Sequence, residues 1–316
     1  MKSTDVICIG LSCVDMSLVG VDGDKFFHQP LNSADGITFS VGGDATNEAL
    51  TLSRLGHKVK LMTRVGHDFL GHFIEYTVKN AGIDKSTIKI DDTVETTVAV
   101  LVIGKDDDRH YIWMGKDRSV ATFCGDDIDY DALKDAKVVS LGSLMMLPSL
   151  TTDAIVKVFS TAKEAGAIVC ADIALGKRTP IDSILPVLPY VDYFFPNLEE
   201  GQLLTGLETK EEIVNYLMEC GVKTVVLKLG GEGCYIKNAQ TEMIVKPYYV
   251  EPVDTTGAGD NFAAGFISGL VRDLPLEDCA KFASACSSIA VQSVGASTGV
   301  KSMEQVQAVI DNANNK

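Results

Sequence analysis

Short apolar runs rich in β-branched residues recur along most of this chain, and stretches with the apolar spacing of helices separate them. That alternation restricts the fold more than any other feature. The runs fall at residues 6–10, 59–63, 138–141, 168–171, 193–195 and 224–229. The helical stretches fall at 45–55, 69–80, 151–165, 211–220, 261–271 and 276–294. Strands linked through helices return as parallel neighbours, so the pattern predicts an α/β fold in three α/β/α layers, with a mainly parallel central sheet. A chain of 316 residues with 46% hydrophobic content can bury such a core, and no Pro- or Ser-rich linker or internal repeat divides it. The expectation is one domain over residues 1–316.

Two segments, roughly 16–40 and 93–123, break the rhythm. The second contains TTVAVLVIGKDDDRHYIWMG, which reads as two strands joined by a charged turn at 104–108. A β insertion on a parallel-sheet protein is expected to form a small lid. A lone two-stranded flap is marginal and leaves an open edge, which points to a homodimer formed through the lid.

A net charge of −15 opposes a nucleic acid or an anionic membrane as partner, while a small anion remains compatible where local donors gather. No apolar run reaches the roughly 18 residues of a membrane span. The opening MKSTDVICIGLSCVDMS reads as a first buried strand rather than a signal peptide. Eight scattered cysteines without a C-x-x-C pair fit reduced thiols in a cytoplasmic protein, and His67 and His72 lack a metal-binding pattern.

Four stretches can carry chemistry. In EPVDTTGAGDNFAAGFISGL, a β-prone segment (244–253) precedes the small residues Gly257, Ala258 and Gly259, and a helix follows with Ala263, Ile267 and Leu270 on one face. Free N–H groups at such a helix start form a hole for a negative oxygen. Asp260 there is either a helix cap or the group that accepts a proton from an attacking alcohol. The spacing is neither G-x-x-x-x-G-K-[ST] nor G-x-G-x-x-G, because Phe262 occupies the third glycine position. In VGGDATNEALTLSRLG, Gly42 and Gly43 permit unusual backbone angles. Asp44 either caps the next helix or, with Asn47 and Asp15, grips hydroxyls. FFPNLEEGQLLTG places Asn197 and Glu200 as a capping box, and VVLKLGGEGCYI places Gly230 to Gly233 in a hairpin turn.

In this order the stretches resemble the PfkB family of carbohydrate kinases, with its ribokinase-like fold. The resemblance rests on DTTGAGDNFAAGF, on GGDATNEALTLSRLG followed by VGHDFLGHFI, and on the N-x-x-E of Asn197 to Glu200. It implies transfer of the ATP γ-phosphate to a sugar-like alcohol. Asp260 would be the catalytic base, and Gly257, Ala258 and Gly259 the anion hole. Asp15, Gly42, Gly43, Asp44 and Asn47 would hold the acceptor. Asn197 and Glu200 would act near the phosphates and Mg²⁺, directly or through water, while Lys228, Gly230 and Gly233 would lie along the nucleotide. Asp254, with the segment around Gly295 and Ala296, would form a monovalent-cation loop, hence potassium activation.

The chain also departs from the family pattern. Lys228 stands where a small polar residue is frequent and Ser284 where an Asn is frequent. No carboxylate follows VVSLGSLMM, and DIALGKRTP offers Lys177 or Arg178 in place of a nearby arginine. Asp44 in the acceptor motif would repel a phosphate and bind hydroxyls, which favours an unphosphorylated sugar or nucleoside. Arg109, Lys116 and Arg118 on the lid would reverse that preference if they pointed inward. The rival reading is a catalytically silent sugar- or nucleotide-binding regulator on the same fold. A nicotinamide-dependent dehydrogenase is disfavoured by the missing glycine fingerprint.

Overall fold

Thirteen strands form two sheets in the computed structural model, which describes residues 2–22, 28–29, 32–104, 109–174 and 180–314. In chain order the strands are β1 (Thr4–Ile9), β2 (Cys13–Val21), β3 (Gly36–Gly42), β4 (Val59–Gly66), β5 (Ile88–Asp91), β6 (Val98–Gly104), β7 (Arg109–Met114), β8 (Ala136–Leu141), β9 (Ile168–Ala171), β10 (Tyr193–Phe194), β11 (Thr224–Lys228), β12 (Cys234–Asn238) and β13 (Glu242–Val245). The longer helices are α1 (Asp44–Arg54), α2 (Phe69–Asn80), α3 (Thr152–Glu164), α4 (Leu198–Thr205), α5 (Lys210–Glu219), α6 (Ala258–Val271), α7 (Leu276–Ala290) and α8 (Met303–Asn314).

Nine strands build the main sheet in the order β13-β12-β11-β10-β9-β8-β1-β4-β5. Neighbours from β11 to β5 run parallel, and only β12 and β13 are antiparallel. Apolar residues sit on both faces of these strands, as a sheet covered on both sides requires. Ile7 and Ile9 of β1 enter a core shared with α3 and α5, while Val6 and Cys8 enter a second core under α1 and α6. The three expected layers follow.

The helix that carries the DTTGAGD motif is fixed against the sheet by an aromatic cluster. Phe266 lies 5.3 Å from Phe195 and 5.6 Å from Tyr193, centroid to centroid. Burying a Phe of this kind stabilises by roughly 1.5–3 kcal/mol. On its other side α6 meets α7 through Gly265 and Gly269. A Cβ on Gly265 would sit 2.8 Å from the Ala283 Cα, so the close approach depends on the missing side chain.

The two interruptions expected at 16–40 and 93–123 meet in a single four-stranded sheet, β3-β2-β6-β7. It is broader than a two-stranded flap and begins earlier, at Cys13, because β2 follows β1 almost directly. Asp15 therefore belongs to this small sheet. β2 pairs parallel with β6 and antiparallel with β3, and β6 pairs antiparallel with β7.

Three other boundaries differ from the sequence pattern. The β-prone segment 244–253 is strand only to Val245. Pro247 and Pro252 lack the N–H a ladder needs, and residues 246–257 run as an irregular loop. Helix α6 starts at Ala258 rather than at 261, and α7 stops at Ala290. Helix α8 near the C-terminus stands where only a frayed end was expected.

Candidate active site

The C-terminal ends of the parallel strands β1, β9, β10 and β11 open on one cleft of about 870 Å³. This is where ligands collect in open α/β sheets. Asp172 follows β9, Asn197 follows β10, and Lys228 ends β11. Ser143 follows β8 and donates a hydrogen bond to Asp44 at the head of α1, closing the gap where the connections diverge to either side of β1. The strand after which no carboxylate was found thus supplies a hydroxyl that orients Asp44.

Helix α6 opens with Gly257 in the left-handed region at φ 74°, and this residue, not Asp260, is the N-cap. A Cβ at Gly257 would meet the Ala296 carbonyl oxygen at 2.5 Å, so the turn admits only glycine. The N–H groups of Gly259 and Asp260 have no hydrogen-bond partner among the described residues. Such a helix start carries about half a positive charge. The capping explanation of Asp260 does not hold, because its carboxylate lies in the first turn and accepts from Asn47 Nδ2 at 2.7 Å. That bond ties the third residue of α6 to α1, and Thr51 donating to Asn261 Oδ1 at 2.8 Å ties them again. Burial and, next, the neighbouring Asp44 push the Asp260 carboxyl up to about 8, while the Asn47 donor works the other way.

Asp44 is likewise no cap. Gly43 holds the N-cap position of α1, and Asp44 is its first helical residue. Its carboxyl is raised by burial, as is that of Asp15, for which Asp44 adds to the effect. The two glycines have separate roles. Gly43 has φ 95°, and a Cβ there would lie 2.4 Å from the Leu11 carbonyl oxygen. Gly42 is set behind Asp15, and a Cβ on it would strike the carboxylate at 2.0 Å.

Asn197 and Glu200 form the expected capping box of α4, each bonded to the other's backbone N–H at 2.8 Å. The box uses Oε2 of Glu200, and both residues still line the cleft. Burial raises the Glu200 carboxyl to about 7, against the pull of Lys228. Gly230 and Gly233 flank the turn between the antiparallel β11 and β12, as the hairpin reading required, and both line the cleft. Asp254 is buried; Oδ1 accepts from Thr256 and Oδ2 from the Gly295 N–H, which joins the two loops at the far end of the site. All candidate residues except Gly42 and Asp254 line this one cleft.

The sequence of residues 3–303 matches the pattern described as "pfkB family carbohydrate kinase". The chain belongs to the pfkB family. It is a carbohydrate kinase, and the expected ribokinase-like fold is the observed one. This kinase is 31% identical over 284 residues to 2-dehydro-3-deoxygluconokinase of Bacillus subtilis, covering 86% of this chain and 88% of that one. It is 28% identical over 294 residues to probable fructokinase-4 of Arabidopsis thaliana, covering 89% and 90%. Among solved structures, an E. coli protein assigned as ribokinase II, in complex with ATP and Mg²⁺, superposes with a TM-score of 0.84 at 25% identity, over 98% of this chain and 99% of that one.

Residues of the kinase that sequence reasoning passed over also reach the cleft. Trp113 on β7 and Ala99 on β6 stand in register beside Asp15 of β2, forming one row that faces the main sheet. Asp172, Tyr248 and Tyr249 line it too. The row could have been found from the two-residue period of TTVAVLVIG and RHYIWM once their pairing with β2 was known. Lys116 is exposed, and Arg118 is paired with Glu95 at 2.8 Å and with the Thr96 carbonyl, so neither lines the cleft. The side chain of Arg109, and Lys177 and Arg178 altogether, fall outside the described residues. Among the described residues the cysteines form no disulfide, and no helix is long and apolar enough to cross a membrane.

Proposed function

We propose that this kinase transfers the γ-phosphoryl group of ATP to a hydroxyl of an unphosphorylated sugar or nucleoside, acting in the cytoplasm, with Asp260 as general base. The observation that carries this reading is the 2.7 Å bond from Asn47 to Asp260, which joins the acceptor motif to the anion-hole motif in one cleft. Asn47 engages Oδ2 and leaves Oδ1 to receive the acceptor's proton. The turn of Gly257, Ala258 and Gly259 presents N–H groups to the phosphoryl oxygens, and donors fixed in advance stabilise charge as it develops. Asp15, Asp44 and Asn47 grip the acceptor's other hydroxyls, with Gly42 and Gly43 giving them room. Asn47 Oδ1 supports this assignment, being buried without a partner among the described residues.

The remaining assignments concern the nucleotide. Gly230 and Gly233 leave its path free of side chains. Asn197 and Glu200 would hold Mg²⁺, directly or through water. Mg²⁺ takes few protein carboxylates besides substrate phosphates, and Glu200 suits that role. Bound there, Mg²⁺ would supply charge neutralisation to the phosphate oxygens. Asp254, by fastening the loop after β13 to Gly295, would form the frame of a K⁺ site. Two carboxylates at the acceptor end, Asp15 and Asp44, favour an unphosphorylated acceptor over a sugar phosphate.

A coupled ADP-release assay over hexoses, pentoses, sugar acids and nucleosides tests the reading. The kinases named for fructose and 2-dehydro-3-deoxygluconate make a ketohexose and a sugar acid the first compounds to try. Asp260→Asn is expected to keep ATP and acceptor binding and to lower turnover by about 10²-fold or more. Normal turnover in that variant would remove Asp260 from the role of base. Binding without any acceptor-dependent turnover in the parent would favour the regulator instead.

A further inference from the structure

Lys228 is the one Lys or Arg among the described residues lining the cleft, whose walls also carry Asp15, Asp44, Asp172, Glu200 and Asp260. Its ammonium donates to the two oxygens of Asp172 at 3.0 and 2.8 Å. Both bonds go to a single carboxylate, which leaves a third donor without a partner among the described residues. The side chain is only 13% exposed. A Cβ built on Gly259 would come within 3.1 Å of Nζ, so the ammonium lies over the first turn of α6, beside the unpartnered N–H groups of Gly259 and Asp260. Burial works against its charge, but Asp172 and Glu200 outweigh burial and hold it above the ordinary lysine value.

A site surrounded by carboxylates must admit the triphosphate of ATP. The helix start offers about half a positive charge, which is less than a migrating phosphoryl group carries. A full cation at the same spot makes up the difference. An ion pair with only a structural role would have its donors satisfied, whereas this one keeps a free donor at the anion hole.

We propose that Lys228 is a catalytic residue whose ammonium passes from Asp172 to the oxygens of the migrating phosphoryl group, with Asp172 as the positioning residue that holds it ready in the empty site. The proposal rests on the kinase reading above. In the step, the acceptor hydroxyl gives its proton to Asp260 and its oxygen bonds to phosphorus. The bond from phosphorus to the bridging oxygen breaks, and its electron pair leaves with ADP. Lys228 stays protonated throughout and exchanges no proton.

The test compares Lys228→Met, Lys228→Arg and Asp172→Asn with the parent in turnover and in calorimetric binding of ADP and of the non-hydrolysable analogue AMP-PNP. Lys228→Met should lose about 10²–10³-fold in kcat, the scale of one donor to a developing anion. It should bind AMP-PNP several-fold more weakly while binding ADP as before, because only AMP-PNP carries the third phosphoryl group. Lys228→Arg should recover part of both losses. A folded Lys228→Met with near-parental kcat, or with equal losses for both nucleotides, would overturn the proposal. If Lys228→Met does not fold, Asp172→Asn decides. Releasing the ammonium should change AMP-PNP binding several-fold and leave ADP unchanged, and parental binding of both nucleotides, or equal losses for both, would overturn it. A parent without acceptor-dependent ADP release would fail the kinase reading itself, a result distinct from any of these.

Discussion

Asp260 is a carboxyl whose surroundings oppose its charge, and its titration should be visible in solution. Burial and Asp44 raise it to about 8, so below that pH it holds a proton and cannot act as a base. The kcat/KM of the parent should fall about tenfold per pH unit below a pKa near that value and level off above it, and the limb should vanish in Asp260→Asn. A limb that survives in the variant would assign the titration to another group. Stability gives an independent check. The folded value lies above the unfolded one near 3.9, so the stability this group contributes is complete below the unfolded value and lost as pH rises through about 8. Asp260→Asn should therefore raise the melting temperature more at pH 8.5 than at pH 5. Residues of this kind were legible in the sequence as types and spacings, but their roles were not. DTTGAGD allowed Asp260 to be a cap, and only the left-handed Gly257 in the N-cap position and the bond from Asn47 decide otherwise.

At the scale of elements, the strands and helices of the main sheet were readable because each buries a face with its own period. The small sheet was not, since pairing β2 with β6 joins segments more than 80 residues apart, and no local pattern encodes that partner. Its outer face has a physical consequence. Phe39, Met16, Val100 and Ile112 lie in one register row, and Phe39 and Ile112 at its ends are 54% and 51% exposed. Both edge strands, β3 and β7, have one side unpaired among the described residues. A second copy laid against this face would cover the row, which is why a homodimer through the small sheet is proposed. Sedimentation should show a dimer for the parent and a monomer for Phe39→Lys, since a buried ammonium without a counter-charge is strongly disfavoured. A monomeric parent would dispose of the dimer.

Across the whole molecule, the cleft lies between the two sheets, and the inner row of Asp15, Ala99 and Trp113 is the small sheet's contribution to its wall. The sequence could not reveal this row, because the alternation in RHYIWM does not say which side faces inward until β7 is paired with β6. Trp113 makes the arrangement measurable. It is the sole tryptophan of the chain and is 42% exposed at the cleft wall. Its indole lies so close to Gly115 that a Cβ there would come within 2.3 Å of Nε1, which restricts the orientation of the ring. A sugar bound against Asp15 and Asp44 would cover the exposed part of the indole and exclude water from it. Intrinsic fluorescence should therefore change saturably with the acceptor that supports ADP release, and less with ATP alone, whose proposed path runs along Gly230 and Gly233. Trp113→Phe should raise the KM for the acceptor several-fold with little change in kcat, because a ring at the cleft wall would contact substrate and transition state alike. An emission spectrum unmoved by saturating acceptor would mean that the small sheet stands away from the bound sugar, and the acceptor would then be held by the main sheet and α1 alone.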